Sequence, residues 1–135
     1  MKIGYTHRMV RTLLTVLVLT VLPTPVFAEW TKVRESVAGE TFYVDFERIR
    51  KHGGFVYLWL LEDYLTPTKF GHLSVNGYRL VDCELFRLKW LSVSSHKEQM
   101  GEGIGESHTP QEKWIYHPPD SPMEMVLKTV CAYAK

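Results

Sequence analysis

Six histidines, two cysteines and a scatter of carboxylates and serines are the side chains of this 135-residue sequence that could do chemistry. His96, His108 and His117 could in principle converge on a metal. Their spacing matches no ligand pattern, and the i, i+4 histidine pair of a helical zinc site is missing, so they read as surface residues. Glu62-Asp63 closes an apolar run and offers two carboxylates for acid–base work. Neighbouring strand residues point to opposite faces, which keeps the two from aiming at one substrate, and a solvated strand end is expected. Ser94, Ser95 and Ser107 lack the strand–turn–helix setting of a nucleophilic serine. Gly101-Glu102-Gly103-Ile104-Gly105 imitates a phosphate loop, but Pro110 follows and no helical period does. These patterns point to no enzyme, no metal and no cofactor.

The cysteines are different. Cys83 and Cys131 are the only two, and both lie beyond an N-terminal leader. Residues 1–28 carry Lys2, Arg8 and Arg11, then the apolar stretch Thr12 to Leu22, then Pro23 and Pro25, and end in Val26-Phe27-Ala28. This is the pattern of a secretory signal peptide cut after Ala28, with an apolar core too short for a spanning helix. Export brings the thiols into an oxidising compartment where a disulfide persists. A Cys83–Cys131 bridge would close a loop of 48 positions, worth about 4 kcal/mol by chain entropy. The alternatives are a bridge between chains or two free thiols.

Cutting 28 residues from 135 leaves 107, one domain's worth, assigned to 29–135. The leader takes three of the 16 basic residues and none of the 15 acidic ones, so the remainder is mildly acidic. That argues against nucleic acid and anionic membranes as partners. Hydrophobic content of 45% and aromatic content of 13% suffice for a packed core.

The elements that would carry these residues can be read in order. Trp30 to Val33 alternates like an opening strand, and Thr41 to Asp45 is rich in strand formers. Phe46 to Lys51 suits a helical turn or hairpin arm before His52-Gly53-Gly54 forces a turn. Phe55 to Tyr64 is the strongest strand. Phe55, Tyr57, Trp59 and Leu61 share one face and Val56, Leu58 and Leu60 the other, so both faces need cover. His72 to Val75 reads as a short strand ending in an Asn76-Gly77 hairpin turn. Tyr78 to Ser95 changes phase near Leu85–Phe86, which a bulge would reconcile. Residues 96–111 read as an exposed, mobile loop and Lys113 to Tyr116 as a last strand. Ser121, Pro122 and Glu124 write a helix start, with Glu124 expected to reach back to the Ser121 amide. Leu127, Val130, Cys131 and Ala134 then form one apolar stripe. The class is α+β: mainly antiparallel sheet with a C-terminal helix packed on one face and stapled there by Cys83–Cys131.

One signal remains. Tyr43, Tyr57, Trp59, Tyr64, Trp90, Trp114 and Tyr116 are many aromatics for so small a domain, and Tyr and Trp anchor protein interfaces. Trp59 and Trp90 are assigned to the core; Tyr57 and Tyr64 are the candidate binding residues. The series Trp30, Phe42 to Asp45, Val56 to Trp59 with Asp63-Tyr64, Asp82-Cys83, Met100 to Gly103, Trp114, Pro118 to Ser121 and Val130-Cys131 resembles the surface-adhesin protein E family of small exported bacterial proteins. The resemblance implies a sheet with its helix tied by a disulfide, a dimer as a further expectation, and an adhesin-like module that binds host extracellular proteins. The namesake is lipid-anchored, and no cysteine stands at the cleavage site here to carry a lipid. A periplasmic structural or envelope-accessory role is therefore the alternative, with location at either the cell surface or the periplasm.

Overall fold

A computed structural model describes residues Ala28–Lys135, so the expected leader, Ala28 apart, lies outside the described residues. Eight strands form one antiparallel sheet: β1 (Thr31–Glu35), β2 (Glu40–Val44), β3 (Arg50–His52), β4 (Phe55–Tyr64), β5 (Ser74–Asp82), β6 (Arg87–Trp90), β7 (Val93–His96) and β8 (Gly105–His108). The order is β1-β2-β4-β5-β7-β8, with β3 paired to β4 and β6 to β5. One helix, α1 (Pro122–Tyr133), follows the sheet. Among the described residues no helix is long and apolar enough to cross a membrane.

The ten residues of β4 are the axis. Its partners fix which side chains share a face, because directly opposed residues point the same way. Val56 faces Val81, Leu58 faces Arg79, Leu60 faces Gly77 and Val44, and Glu62 faces Phe42. This inner face receives α1. Met123, Val126, Leu127, Val130 and Cys131 of the helix pack with Phe42, Val44, Val56, Leu58, Leu60, Val81 and Leu88 into one core. Val126 joins the expected stripe, while Ala134 stays at its margin. The helix begins as its sequence predicts: Ser121 Oγ accepts from the Glu124 N–H, with Pro122 in the first turn. Glu124 reaches back one residue further than expected, accepting from the Asp120 N–H at 2.7 Å.

The Cys83–Cys131 disulfide is formed within the chain, Cα–Cα 5.7 Å, and ties the end of β5 to the last turns of α1.

Four readings of the elements need correction. Asn76-Gly77 is mid-strand in β5, not a turn. Gly77 is there for close approach: a Cβ would lie 2.0 Å from the Ser92 carbonyl oxygen and 2.4 Å from Arg79 Nη1. The phase change near Leu85–Phe86 is not a bulge but a reversal of the chain. Asp82 pairs with Arg87, and Phe86 takes a left-handed conformation at φ 55° to close the turn. Residues 96–111 are not a free loop, since β8 pairs with β7 and a 3-10 turn at Gln99–Gly101 folds back on the sheet. Lys113 to Tyr116 makes a single bridge, Ile115 to Leu88, rather than a strand.

Candidate protein-binding surface

The other face of β4 carries Phe55, Tyr57, Trp59 and Leu61. The sequence left its cover open, and the structure divides it in two. At the far end the 3-10 turn at Gln99–Gly101 is the cover. Met100 N–H donates to Asp63 Oδ1 at 2.7 Å, Gly101 N–H donates to Ser74 Oγ at 2.9 Å, and Ser74 Oγ donates to the Glu98 carbonyl at 2.6 Å. Leu61 is completely buried beneath it. Asp63 is thus not a solvated strand end; it fixes this turn. Next to it His96 is held by Ser94 Oγ at Nε2 and by the Glu102 carbonyl at Nδ1.

Along the rest of the face the aromatics are half-buried: Arg48 lies over Trp59, which Ala28 and Trp30 also border, and Trp114 lies against Phe55. They form a row. Trp114 stacks at 5.8 Å on Phe55; Tyr57 lies 5.9 Å from Tyr78; Tyr78 lies 5.1 Å from Trp59. Cations line the row: Arg87 and Lys89 over Trp114 at 4.1 and 4.5 Å, and Arg48 over Trp59 at 5.3 Å. Arg48 is itself aimed by Asp45, whose Oδ2 accepts from its Nε at 2.6 Å. Trp59 therefore belongs to this surface and not to the core assigned from sequence. Trp90 does pack against the core, on the inner face.

Tyr57 and Tyr64, paired as candidates, fall on opposite faces. Tyr57 is in the row. Tyr64 is on the inner face, where its hydroxyl donates to Glu62 Oε2 at 3.0 Å. That corner is a buried polar cluster. Arg79, 1% exposed, lays its guanidinium 3.4 Å from the Trp90 ring centre and donates to the Ser92 carbonyl at 3.3 Å. Its Nη2 is 3.9 Å from Glu62 Oε1, too far for a hydrogen bond, and Nε has no partner. Burial pushes the Glu62 carboxyl up and the Arg79 guanidinium down to about 10, so desolvation outweighs attraction on both partners. Burial and Glu62 likewise push the Tyr64 hydroxyl up. This cluster, with Arg79 buried and Glu62, Tyr64 and Trp90 half-buried around it, joins β4, β5 and β6.

The site is thus a half-buried row of Tyr, Trp and Phe with Arg and Lys over it, on an antiparallel sheet whose opposite face is covered by a disulfide-tied helix. The chain belongs to the surface-adhesin protein E family, whose pattern matches residues 30–132. Among solved structures it is similar to protein E of Haemophilus influenzae in crystal form II, with 21% identity over 84% of this chain and 95% of that one, TM-score 0.58. It is also similar to protein E from non-typeable Haemophilus influenzae, with 18% identity over 82% of this chain and 80% of that one, TM-score 0.54. At such identities these structures bear on the fold. No curated protein matches the chain. Membership in the family makes this an exported, adhesin-like protein of the cell surface or periplasm.

Proposed function

We propose that the mature domain, released from its leader after Ala28, is a non-enzymatic module that binds host extracellular proteins through its outer aromatic face. The observation that carries this is the half-buried row Trp114–Phe55–Tyr57–Tyr78–Trp59 on the face away from α1, edged by Arg48, Arg87 and Lys89. Trp, Tyr and Arg are the residues that dominate binding energy at interfaces. Tyr57 is the residue assigned to contact; Tyr64, half-buried and hydrogen-bonded to Glu62, lies on the other face of the sheet. A homodimer formed through the same face is the second reading, favoured by its apolar character.

The test is binding of the purified mature domain to immobilised host extracellular-matrix proteins, beside a Tyr57→Ala/Trp59→Ala variant whose fold is checked by circular dichroism. Saturable binding by the parent, weakened at least tenfold in the variant, is expected. Absence of binding would move the protein to the periplasmic accessory role, and equal binding by both would take the contact off the aromatic face. Sedimentation of parent and variant decides the dimer: a parent dimer that the variant loses supports it, and a parent monomer removes it.

A further inference from the structure

On the inner side, between the turn at Cys83–Phe86, the β3–β4 hairpin and the last turns of α1, lies a half-open cleft of about 430 Å³. Its floor is apolar: Val56, Phe86 and the Cys83–Cys131 bridge. Its rim is basic: Lys51, Lys128 and Lys135, and no acidic side chain lines it. Lys128 is shared with Glu124, whose Oε1 lies 3.2 Å from its Nζ, whereas Lys51 has no ion-pair partner among the described residues.

The cleft is built at some expense. Phe86 is a non-glycine residue at φ 55°, a conformation that persists only when its surroundings enforce it. The enforcement is visible. Asp82 Oδ1 accepts from the Glu84 and Leu85 N–H groups at 3.1 Å each, and Asp82 Oδ2 accepts from Arg87 Nε at 3.0 Å. The turn so held places the Phe86 ring on the cleft and against the core margin.

We infer that this cleft binds a free single-chain fatty acid, its hydrocarbon on the Phe86–disulfide floor and its carboxylate against Lys51 and Lys128. Small-molecule sites are concave and mostly apolar, with few polar groups that fix orientation. Here the charged groups on the rim are ammoniums, so the head must be an anion. The volume is at the small end of the ~300–1,000 Å³ range of such sites, which suits one chain rather than the two of a phospholipid. Phe55, at the end of the aromatic row, also borders the cleft, but the floor and the lysines are on the other side of the sheet from that row.

The test is a titration of the ¹⁵N-labelled mature domain with sodium dodecanoate below its micelle-forming concentration. Saturable shifts confined to the surroundings of Lys51, Gly54, Phe86, Lys128 and Ala132 are expected. Lys51→Glu with Lys128→Gln should weaken binding by roughly fivefold to tenfold, since each exposed charge contact is modest. Ala132→Trp, at an exposed helix position that lines the cleft, should fill it and abolish binding while the domain melts as the parent does. Four results would overturn the inference: no saturable shifts, shifts on the aromatic face instead, equal affinity for dodecyltrimethylammonium, or unchanged affinity in both variants. Binding to anionic phospholipid vesicles without binding of free dodecanoate would also overturn it.

Discussion

The two faces of one sheet are built from the same strand and have opposite fates. Val56, Leu58 and Leu60 of β4 are sealed under α1, 5% exposed or less. Phe55, Tyr57 and Trp59, their neighbours in sequence, are only half-buried. The inner face is aliphatic and closes against a helix. The outer face is aromatic, and cations rather than a second layer lie along it. Aliphatic side chains gain most from complete burial, whereas Tyr, Trp and Arg hold a surface that is apolar in body and polar at the tip. Hence one face holds the fold and the other is free to bind.

Substitutions that separate stability from binding sharpen this contrast or break it. The largest effect belongs to the staple: Cys83→Ser should lower unfolding free energy by about 4 kcal/mol in urea and expose α1 to proteolysis. An unchanged midpoint would remove the bridge from the account. Leu58→Ala, on the inner face, should cost about 2–5 kcal/mol by opening a cavity, read in the same melts. Gly77→Ala should cost about 1–3 kcal/mol, because the added methyl meets the Ser92 carbonyl as well as Arg79. On the outer face Tyr57→Ala should change stability by less than about 1 kcal/mol yet weaken partner binding at least tenfold. A Tyr57→Ala that melts like Leu58→Ala would show the two faces to be equivalent.

The smallest effect is one of pH. Glu62 is raised above the ordinary 4.5 by burial, so the folded chain holds this proton to higher pH than the unfolded chain does. Its contribution is full below about 4.5 and is lost as pH rises through the folded value. Glu62→Gln should remove that decline in melts taken from pH 4 to 8. Asp82 has the opposite sign. Burial raises it, but hydrogen bonds from the Leu85 N–H, Arg87 and the Glu84 N–H outweigh burial and hold it below 3.8, so its contribution disappears only as pH falls below that range.

The elements with a strong local code were legible in the sequence. The Ser121-Pro122-Glu124 start, the 3- and 4-residue spacing of Leu127, Val130 and Cys131, and the unbroken run of β4 each carry their own physics, and two cysteines in an exported chain leave one internal pairing. What escaped depends on contacts distant in sequence. Asn76-Gly77 looks like a hairpin turn because glycine tolerates turns, yet here glycine answers to the Ser92 carbonyl in the link between β6 and β7. The glycines of 96–111 suggested a loop, while Ser74 and Asp63, more than 20 residues earlier, hold Met100 and Gly101 in place. The parity break at Leu85–Phe86 was visible, but bulge and reversal produce the same break, and only the Asp82 to Arg87 pairing distinguishes them. At the candidate surface, Tyr57 was legible from its strand position. The cations were not: Arg48 and Trp59 are 11 residues apart, and Arg87 reaches Trp114 across 27.

The measurement that bears most directly on the outer face as a displayed binding surface is protease accessibility on intact producing cells, with a known periplasmic protein as internal control. Digestion from outside, with the control intact, is the result expected for an adhesin. Protection until the outer membrane is opened would contradict it and place the aromatic face toward a partner within the envelope.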